Sequence, residues 1–308
     1  MGSYLARRLL TSLAVLLGAS LLTFSILHLV PGDPVAAMLG RQAISGAQAA
    51  ELRAQLGLDD PLPVQYARYL GAAARGDLGT SIRNDQPVTA LIGQQLPSTL
   101  QLAAAALSIA LVLGFSAGIA AAVWRGRWID SAVTLLAVGS ISVPSFWLGM
   151  LLIFFFSVQL GWLPSTSSRG DWRGLILPAL TLGVAEAGVI ARIVRASLTE
   201  QFGRLYIVLA RAKGLREHIV VVRHALPNAL IPVVTLLGLQ VGFLLVGAIV
   251  VETVFARQGL GRLAVTAINN RDYPLVQGVV LVTATAYVLI NTLTDLAYAW
   301  LDPRIRLR

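Results

Sequence analysis

Long apolar runs separated by short polar segments dominate the pattern of this chain. Each run holds about 20 mostly apolar residues, the length a helix rising ~1.5 Å per residue needs to cross a hydrocarbon core of ~30 Å. We expect bends at Pro144 and Pro178, which lie inside the third and fourth runs. The pattern predicts an all-α membrane protein with six transmembrane helices, at Leu9–Leu29, Leu100–Val123, Ala132–Val158, Leu175–Val194, Leu230–Val251 and Val276–Ala299.

The distribution of charge orients these helices. If both termini are cytoplasmic, fourteen of the 24 basic residues fall in cytoplasmic segments: Arg7, Arg8, Arg125, Arg127, Arg192, Arg195, Arg204, Arg211, Lys213, Arg216, Arg223, Arg304, Arg306 and Arg308. Basic residues favour the cytoplasmic side of a membrane. The N-terminus could also be a cleaved signal peptide, but its apolar run is too long and lacks a small-x-small cleavage site. We therefore predict an uncleaved first helix and a multi-pass protein of the bacterial plasma membrane.

Composition agrees with this class and narrows the chemistry. The chain is 56% apolar and only 13% charged, whereas soluble domains are about a quarter charged. The net charge of +9 follows the loops between apolar runs, which argues against nucleic acid. There is no cysteine, and the only lysine, Lys213, precedes Gly214, so the chain has no P-loop. Motifs of zinc proteases and serine hydrolases are also missing. We predict a non-catalytic chain that binds no cofactor and no metal.

The first polar segment is long enough to fold by itself. We divide the chain into residues 1–30 with the first helix, 31–97 outside the membrane, and a five-helix core at 98–308. A capping box at Ser45 and Gln48 predicts one outer helix ending at Gly57. Pro61 and Pro63 begin a second helix, followed by a turn at residues 76–79. This small helical segment could cap the outer helix ends or dock a soluble partner.

Small residues recur inside two of the predicted spans. Gly114-x-x-x-Gly118 lies in the second span and Gly238-x-x-x-Gly242 in the fifth. This spacing lets helix backbones approach closely, and the two pairs together favour a tightly packed bundle.

Ionisable residues within spans are candidates for function or for structural pairing. Glu186 lies in the fourth span, Glu252 at the outer end of the fifth, and Asn291 and Asp295 share one face of the sixth. All four are candidates for a translocation path. For each of them, pairing with a neighbouring helix is the competing interpretation.

The cytoplasmic loop at residues 195–227 is the most basic one. Residues 205, 208, 209 and 212 are apolar at helical spacing, Gly214 can end that helix, and a second short helix through Ile219 and Val222 should end at Leu226-Pro227. Such a helix could lie on lipid headgroups or dock in a groove of another protein.

Several motifs resemble the dipeptide/oligopeptide permeases of ABC importers, in the subfamily with a large first outer segment. The resemblance covers the whole chain. Its motifs are Pro31-Gly32-Asp33-Pro34, Leu56-Gly57-Leu58-Asp59, Pro61-Leu62 with Gln65-Tyr66, Gly76-Asp77-Leu78-Gly79-Thr80-Ser81, Val251-Glu252-Thr253-Val254-Phe255, Gly259-Leu260-Gly261-Arg262, Arg271-Asp272-Tyr273-Pro274 and Asp302-Pro303-Arg304.

The basic loop is similar to the EAA loop of these permeases, which reads E-A-A, three residues, Gly, nine residues, then I-x-L-P. Ala210, Gly214, Leu226 and Pro227 fall in register, whereas Val208 and Leu209 replace the first Glu-Ala and His224 replaces the Ile. The similarity favours docking on a protein. It implies an ATPase-coupling set of Leu205, Tyr206, Leu209, Ala210, Arg211, Ala212, Lys213, Gly214, Leu215, Leu226 and Pro227.

The resemblance also implies a function and partners. It suggests a type I importer bundle that moves dipeptides or short oligopeptides inward, with a second permease subunit, two ATP-binding subunits carrying ATP and Mg, and an extracytoplasmic binding protein. Nickel, haem and glutathione importers share the motifs and remain alternatives. A self-contained secondary transporter is the alternative of a different class, and it would predict an inverted repeat.

Overall fold

The computed structural model describes residues 2–29, 59–166 and 171–301. Within these ranges the chain is helical almost throughout, and the only strand-like pairing is an isolated bridge between Thr80 and Pro87. The helices are α1 (Gly2–Leu29), α2 (Leu62–Ala74), α3 (Val88–Val123), α4 (Trp128–Ser142), α5 (Ser145–Leu152), α6 (Arg173–Phe202), α7 (Leu205–Ala212), α8 (Glu217–Ile219), α9 (Leu226–Val254), α10 (Leu260–Asn269) and α11 (Tyr273–Leu301). The predicted all-α class is confirmed.

Three of the described helices are long and apolar enough to cross a membrane. They are α3, α6 and the Tyr273–Thr294 part of α11, and the α4–α5 pair counts as a fourth if it forms one span. Shorter apolar stretches occupy Leu10–Ser25 and Gln240–Val254, inside α1 and α9. The predicted count of six spans stays a prediction, although a helix lies at each of the six positions.

The bend expected at Pro144 in the third predicted span is confirmed, and it is sharp. The span is broken between α4 and α5, which are bent by 105° relative to each other. Pro144 stands at the N-cap of α5 with φ −59° and ψ 134°, which is extended rather than helical backbone. Because proline lacks an amide hydrogen and crowds the preceding turn, the helix ends before it and begins again in a new direction. A π-helical stretch, Ile153–Gln159, then continues α5.

Packing divides the chain into two compact units. One comprises Met1–Pro97 with Gly259–Val288, and the other Ser98–Gln258 with Leu289–Arg308. Residues Gly259–Val288 thus belong to the first unit, and the predicted division at residues 30, 97 and 98 stays a prediction. The predicted helix at Ser45 and the motifs at residues 31–34, 56–58 and 302–304 lie outside the described residues.

In the first unit, α2 packs against α1 and ends as predicted. The Tyr66 hydroxyl lies 2.9 Å from Ser20 Oγ, and its ring packs on Phe24 with centroids 5.3 Å apart. Gly76 and Gly79 both have φ of +81°, a conformation open to glycine, and they form the predicted turn.

Two motifs distant in sequence meet in the same unit. The buried carboxylate of Asp272 accepts a hydrogen bond from Ser81 Oγ at 2.5 Å and another from the Ile82 amide at 3.3 Å. It also accepts one from the amide of Leu275 in the first turn of α11, at 3.4 Å. Asp272 therefore caps α11 and fixes the turn before α3 to it.

In the second unit, glycines let α6 pack closely on α3 and α4. A Cβ on Gly114 would lie 2.7 Å from Ile190 Cβ, and one on Gly118 would lie 2.7 Å from the Ala191 carbonyl oxygen. A Cβ on Gly188 of α6 would lie 2.7 Å from the Ala137 carbonyl oxygen of α4. The close packing predicted from Gly114-x-x-x-Gly118 is confirmed. Gly238 packs in the same manner on α11, where an added Cβ would lie 2.9 Å from Thr294 Cβ.

Candidate functional site

The basic loop between α6 and α9 is the candidate site, and α7 is its central element. Ile207 is fully buried and Ala210 nearly so. They belong to an apolar cluster with Ala122 of α3, Leu198 of α6 and Ala225 at the start of α9. This cluster anchors α7 to the helices of its own unit. Ala210, a member of the predicted ATPase-coupling set, faces the interior of this unit, so its place in that set stays a prediction.

The opposite face of α7 is apolar and uncovered. Leu205 is 85% exposed, Leu209 56% and Val208 53%, and Ala212 is also exposed. At 100° per residue these four positions share one side of the helix, and Ile207 and Ala210 occupy the side directly across. We call Leu205, Val208, Leu209 and Ala212 the coupling ridge. A helix of eight residues that is apolar on two opposite faces can bury only one of them in its own unit.

The turn after α7 has the geometry predicted from Gly214. This glycine has φ of +76°, which costs other residues about 1–2 kcal/mol. Its amide donates to the Arg211 carbonyl at 2.9 Å, and the Leu215 amide donates to the Ala210 carbonyl at 3.4 Å. These two bonds form a Schellman motif, which ends a helix and satisfies its last carbonyls. Leu215 remains about one-third exposed beside the ridge.

Side-chain bonds hold the turn in shape. Arg211 donates from Nη2 to Glu217 Oε1 at 2.6 Å and from Nε to Oε2 at 3.2 Å, and it lies over the Phe202 ring at 5.3 Å. The hydrogen bond to Glu217 raises the pKa of Arg211 above its usual value. The Tyr206 hydroxyl donates to Gln201 Oε1 at 2.7 Å and accepts from Asn228 Nδ2 at 3.2 Å. The loop thus presents the ridge on a rigid base.

The prediction that the second helix ends at Leu226-Pro227 is wrong. Helical backbone runs from Glu217 through a π-helical segment, Val220–Ala225, directly into α9. Proline removes one amide donor and its ring crowds the carbonyl four residues earlier, and a widened π turn relieves both constraints. Leu226 is half-buried against the anchoring cluster, and Pro227 is exposed. From Glu217 onward, the chain after the turn is therefore continuous helix into α9.

Asp130 and Arg195 form a salt bridge that the sequence patterns did not reveal. Arg195 of α6 donates from Nε and Nη2 to the two carboxylate oxygens of Asp130 in α4, at 2.5 and 2.9 Å. Asp130 also accepts the Gly126 amide at 3.0 Å. The signal available in the sequence was a single acid, Asp130, three residues after Arg127 in a segment that is otherwise positive. This pair fixes the short cytoplasmic loop to the helix that carries α7.

The predicted path residues have different surroundings. Glu252 is fully buried and accepts a hydrogen bond from Thr99 Oγ1 at 2.6 Å, which fixes the end of α9 to α3. Glu186 lies near the middle of α6, and its Oε2 atom is buried without a hydrogen-bond partner among the described residues. Asn291 is half-buried in α11. The side chain of Asp295 lies outside the described residues.

An apolar groove of about 450 Å³ lies between α3, α4 and α6. It is lined by residues that include Leu113, Leu136, Val184, Ala187 and Ala191. Glu186 is not among the lining residues, because its position on α6 points to the other side of the helix. This groove therefore does not extend the candidate path.

Metal chemistry has no support in the described part of the chain. Among those residues no group of three or more His, Asp or Glu side chains is placed to hold an ion.

Comparison with known proteins places the chain in a family. Residues 114–307 match the family described as binding-protein-dependent transport system inner membrane component, and residues 1–103 match the N-terminal family of such components. The chain is 47% identical over 304 residues to the glutathione transport system permease protein GsiC of Pectobacterium atrosepticum, covering 99% of both chains. GsiC of Escherichia coli K12 is 47% identical over 305 residues, with the same coverage.

Solved structures give the same fold. An inward-facing MetNI methionine ABC transporter superposes with a TM-score of 0.58 at 21% identity, covering 69% of this chain and 96% of that one. An amino acid ABC transporter gives 0.53 at 17% identity, covering 70% and 94%. The type I permease fold predicted for this chain is confirmed by these likenesses. The chain belongs to the family of binding-protein-dependent transport system inner membrane components, as an ABC importer permease of the peptide type in the bacterial inner membrane.

Proposed function

We propose that this chain is a permease subunit of an ATP-driven importer that carries glutathione into the cytoplasm. The observation that carries the proposal is the 47% identity to glutathione permeases over 99% of the chain, which includes the outer segment as well as the helical core. Glutathione was one of the alternatives open from the sequence. The relatives support it better than the dipeptides that the motifs first suggested, and membership of an ABC family argues against a secondary transporter.

The proposal requires partner subunits, because the chain has no P-loop of its own. We infer two ATPase subunits, a second permease subunit and an extracytoplasmic binding protein. The coupling ridge is the surface on which an ATPase subunit would dock, since it is apolar, exposed and rigidly anchored. ATP-driven closure of the ATPases would then move α7, and the continuous helix from Glu217 would transmit that movement to α9.

Transport by the complete reconstituted complex tests this function. In proteoliposomes that contain this chain, its partner subunits and the binding protein, we expect ATP-dependent uptake of radiolabelled glutathione. Excess unlabelled glutathione should compete, whereas dialanine and Ni²⁺ should not. Uptake of labelled dialanine without glutathione uptake would restore the dipeptide interpretation. Uptake that persists when ATP is replaced by a non-hydrolysable analogue would contradict an ATP-driven importer of any substrate.

Glu186 is the residue through which we propose that the path contacts substrate. A carboxylate near the middle of a span costs about 2.5–3.5 kcal/mol on insertion scales unless it faces protein or water. Glu186 as a residue is half-buried, and its Oε2 has no hydrogen-bond partner in the part of the chain that the structure describes, so this acceptor is not used within the fold. Glutathione carries an ammonium group, and an acid on the path can pair with it.

Replacing Glu186 with glutamine is expected to lower glutathione uptake about tenfold, because the ammonium loses one charge-assisted hydrogen bond of about 1.5–3 kcal/mol. Glu186→Asp keeps the charge and should retain most of the uptake. Basal ATP hydrolysis should not change in either variant. Equal uptake by wild type and Glu186→Gln, measured at substrate concentrations below KM, would remove Glu186 from the path.

A further inference from the structure

Exposed cations accompany the coupling ridge. Lys213 follows the ridge at the C-cap of α7, Arg216 stands at the N-cap of α8, and Arg223 lies in the π-helical segment. All three side chains are exposed. Ion pairs in the described ranges engage Arg204 with Glu200 and Arg211 with Glu217, but none engages Lys213, Arg216 or Arg223. Within the described ranges the loop that carries the ridge therefore has three exposed cations that no ion pair neutralises.

The loop offers no free acid to a partner. Glu217 is the only acidic residue between positions 204 and 227, and both of its carboxylate oxygens accept hydrogen bonds from Arg211. Position 208, where the EAA pattern has its glutamate, is Val208 and lies on the ridge. A partner groove lined by basic residues would be repelled by the three exposed cations of this loop, whereas a groove lined by acidic residues could form ion pairs with all three.

The placement of Arg216 is hard to explain by local structure. It stands where a helix that runs on to Val254 begins, and the positive end of a helix dipole disfavours a cation. Lys213, in contrast, stands at the C-terminal end of α7, where a cation is favourable. The helix dipole therefore favours Lys213 at its position and disfavours Arg216 at its own.

The direction in which the ridge faces favours a protein partner over a lipid surface. Ile207 and Ala210 attach α7 to a cluster formed by residues of α3, α6 and α9, which are the apolar helices of the same unit. The ridge lies on the opposite side of α7 and therefore points away from those helices. A helix that rests on headgroups would turn its apolar face toward the membrane.

We propose that the coupling ridge docks in an apolar groove with an acidic rim, whose carboxylates pair with Lys213, Arg216 and Arg223. In this contact the permease supplies the cations and its partner the acids, whereas the glutamate of the EAA pattern would make the permease supply the acid. The inference rests on the proposed function, in which the occupant is an ATPase subunit, and it adds the chemistry of that subunit's groove. Fixed charges of opposite sign raise association rates and select against partners with basic rims.

Charge reversal in the full complex tests the proposal. We compare the triple variant Lys213→Glu/Arg216→Glu/Arg223→Glu with Leu209→Asp and with a control, Arg125→Glu/Arg127→Glu, that changes exposed cations of another cytoplasmic loop. Purified transporter in phosphatidylcholine nanodiscs is titrated with its ATPase subunits at low and high salt. We expect the triple variant to bind the ATPase at least tenfold more weakly than wild type, with less salt dependence, and the control to bind normally. Lysine substitutions of acids on the groove rim should restore binding to the triple variant.

Three results would overturn the inference. If the triple variant binds like wild type while Leu209→Asp does not, the charge assignment fails and the docking function stands. If neither variant weakens binding, the proposed docking function fails as well. If the triple variant is weakened only in phosphatidylglycerol nanodiscs and not in phosphatidylcholine, the cations contact lipid headgroups instead of a protein.

Discussion

Replacing Leu209 with aspartate is expected to abolish transport while leaving the folded permease intact. Burial of a leucine side chain in a partner groove contributes about 1.5–3 kcal/mol, and a carboxylate forced into the same groove loses its water as well. Because 1.4 kcal/mol is a factor of ten in binding, the ATPase should dissociate about 10- to 100-fold more readily. Glutathione uptake and substrate-stimulated ATP hydrolysis in proteoliposomes measure the effect.

The fold supplies an internal control for this experiment. Leu209 is mostly exposed and touches little of its own chain, so the melting temperature in detergent should not change. Ile207, two residues earlier, is fully buried in the anchoring cluster. Ile207→Asp should therefore lower the melting temperature and the yield of folded protein. Leu209→Met keeps the apolar volume and should transport normally. Normal transport by Leu209→Asp would show that the ridge is not a docking surface.

Replacing Gly118 with leucine is expected to destabilise the bundle itself. A Cβ at this position would lie 2.7 Å from both the Ala191 carbonyl oxygen and Val194 Cβ, and these contacts are backbone or branched side chain that cannot move aside. Overpacking of this kind costs about 1–3 kcal/mol or more. At about 2–4 °C per kcal/mol, the melting temperature in detergent should fall by roughly 5 °C or more. Size-exclusion chromatography should show less monodisperse protein.

Gly139 provides the matched control for Gly118. It lies in α4 of the same unit, and a Cβ built on it has no neighbour within 4 Å. Gly139→Leu should insert and melt like wild type, since the added side chain enters open space. Equal stability of the two variants would mean that α3 and α6 do not rely on the close approach at Gly118.

The structure also changes how α4 and α5 should be regarded. The third apolar run predicted one span with a bend at Pro144, and the structure shows two helices bent by 105° at that position, followed by a π-helical stretch. π-helical segments are rare and occur frequently at functional sites. The second π-helical segment, Val220–Ala225, joins the coupling loop to α9. Both irregularities lie in the unit that carries the coupling ridge.

The order of residues alone determined the class of the protein. Apolar runs of membrane length predict helices, because a backbone in lipid must satisfy its hydrogen bonds within the helix. Gly214 predicted the end of α7 by the same local logic, since a left-handed residue is set by its own φ and ψ. Gly114 and Gly118 predicted a close contact between helices, although the sequence did not show that the partner is α6.

Only the tertiary structure decided which face of α7 is free. Leu205, Ile207, Val208, Leu209 and Ala210 are all apolar, so hydrophobicity alone cannot distinguish the anchored face from the exposed one. Which face is buried depends on which side of α7 meets Leu198 of α6 and Ala225 beside α9. The positions of those two residues are set by the packing of other helices. The same holds for Glu252 and Glu186, which are equally acidic. Thr99 reaches one of them and no described side chain reaches Oε2 of the other, because a hydrogen bond depends on where separate helices place two atoms.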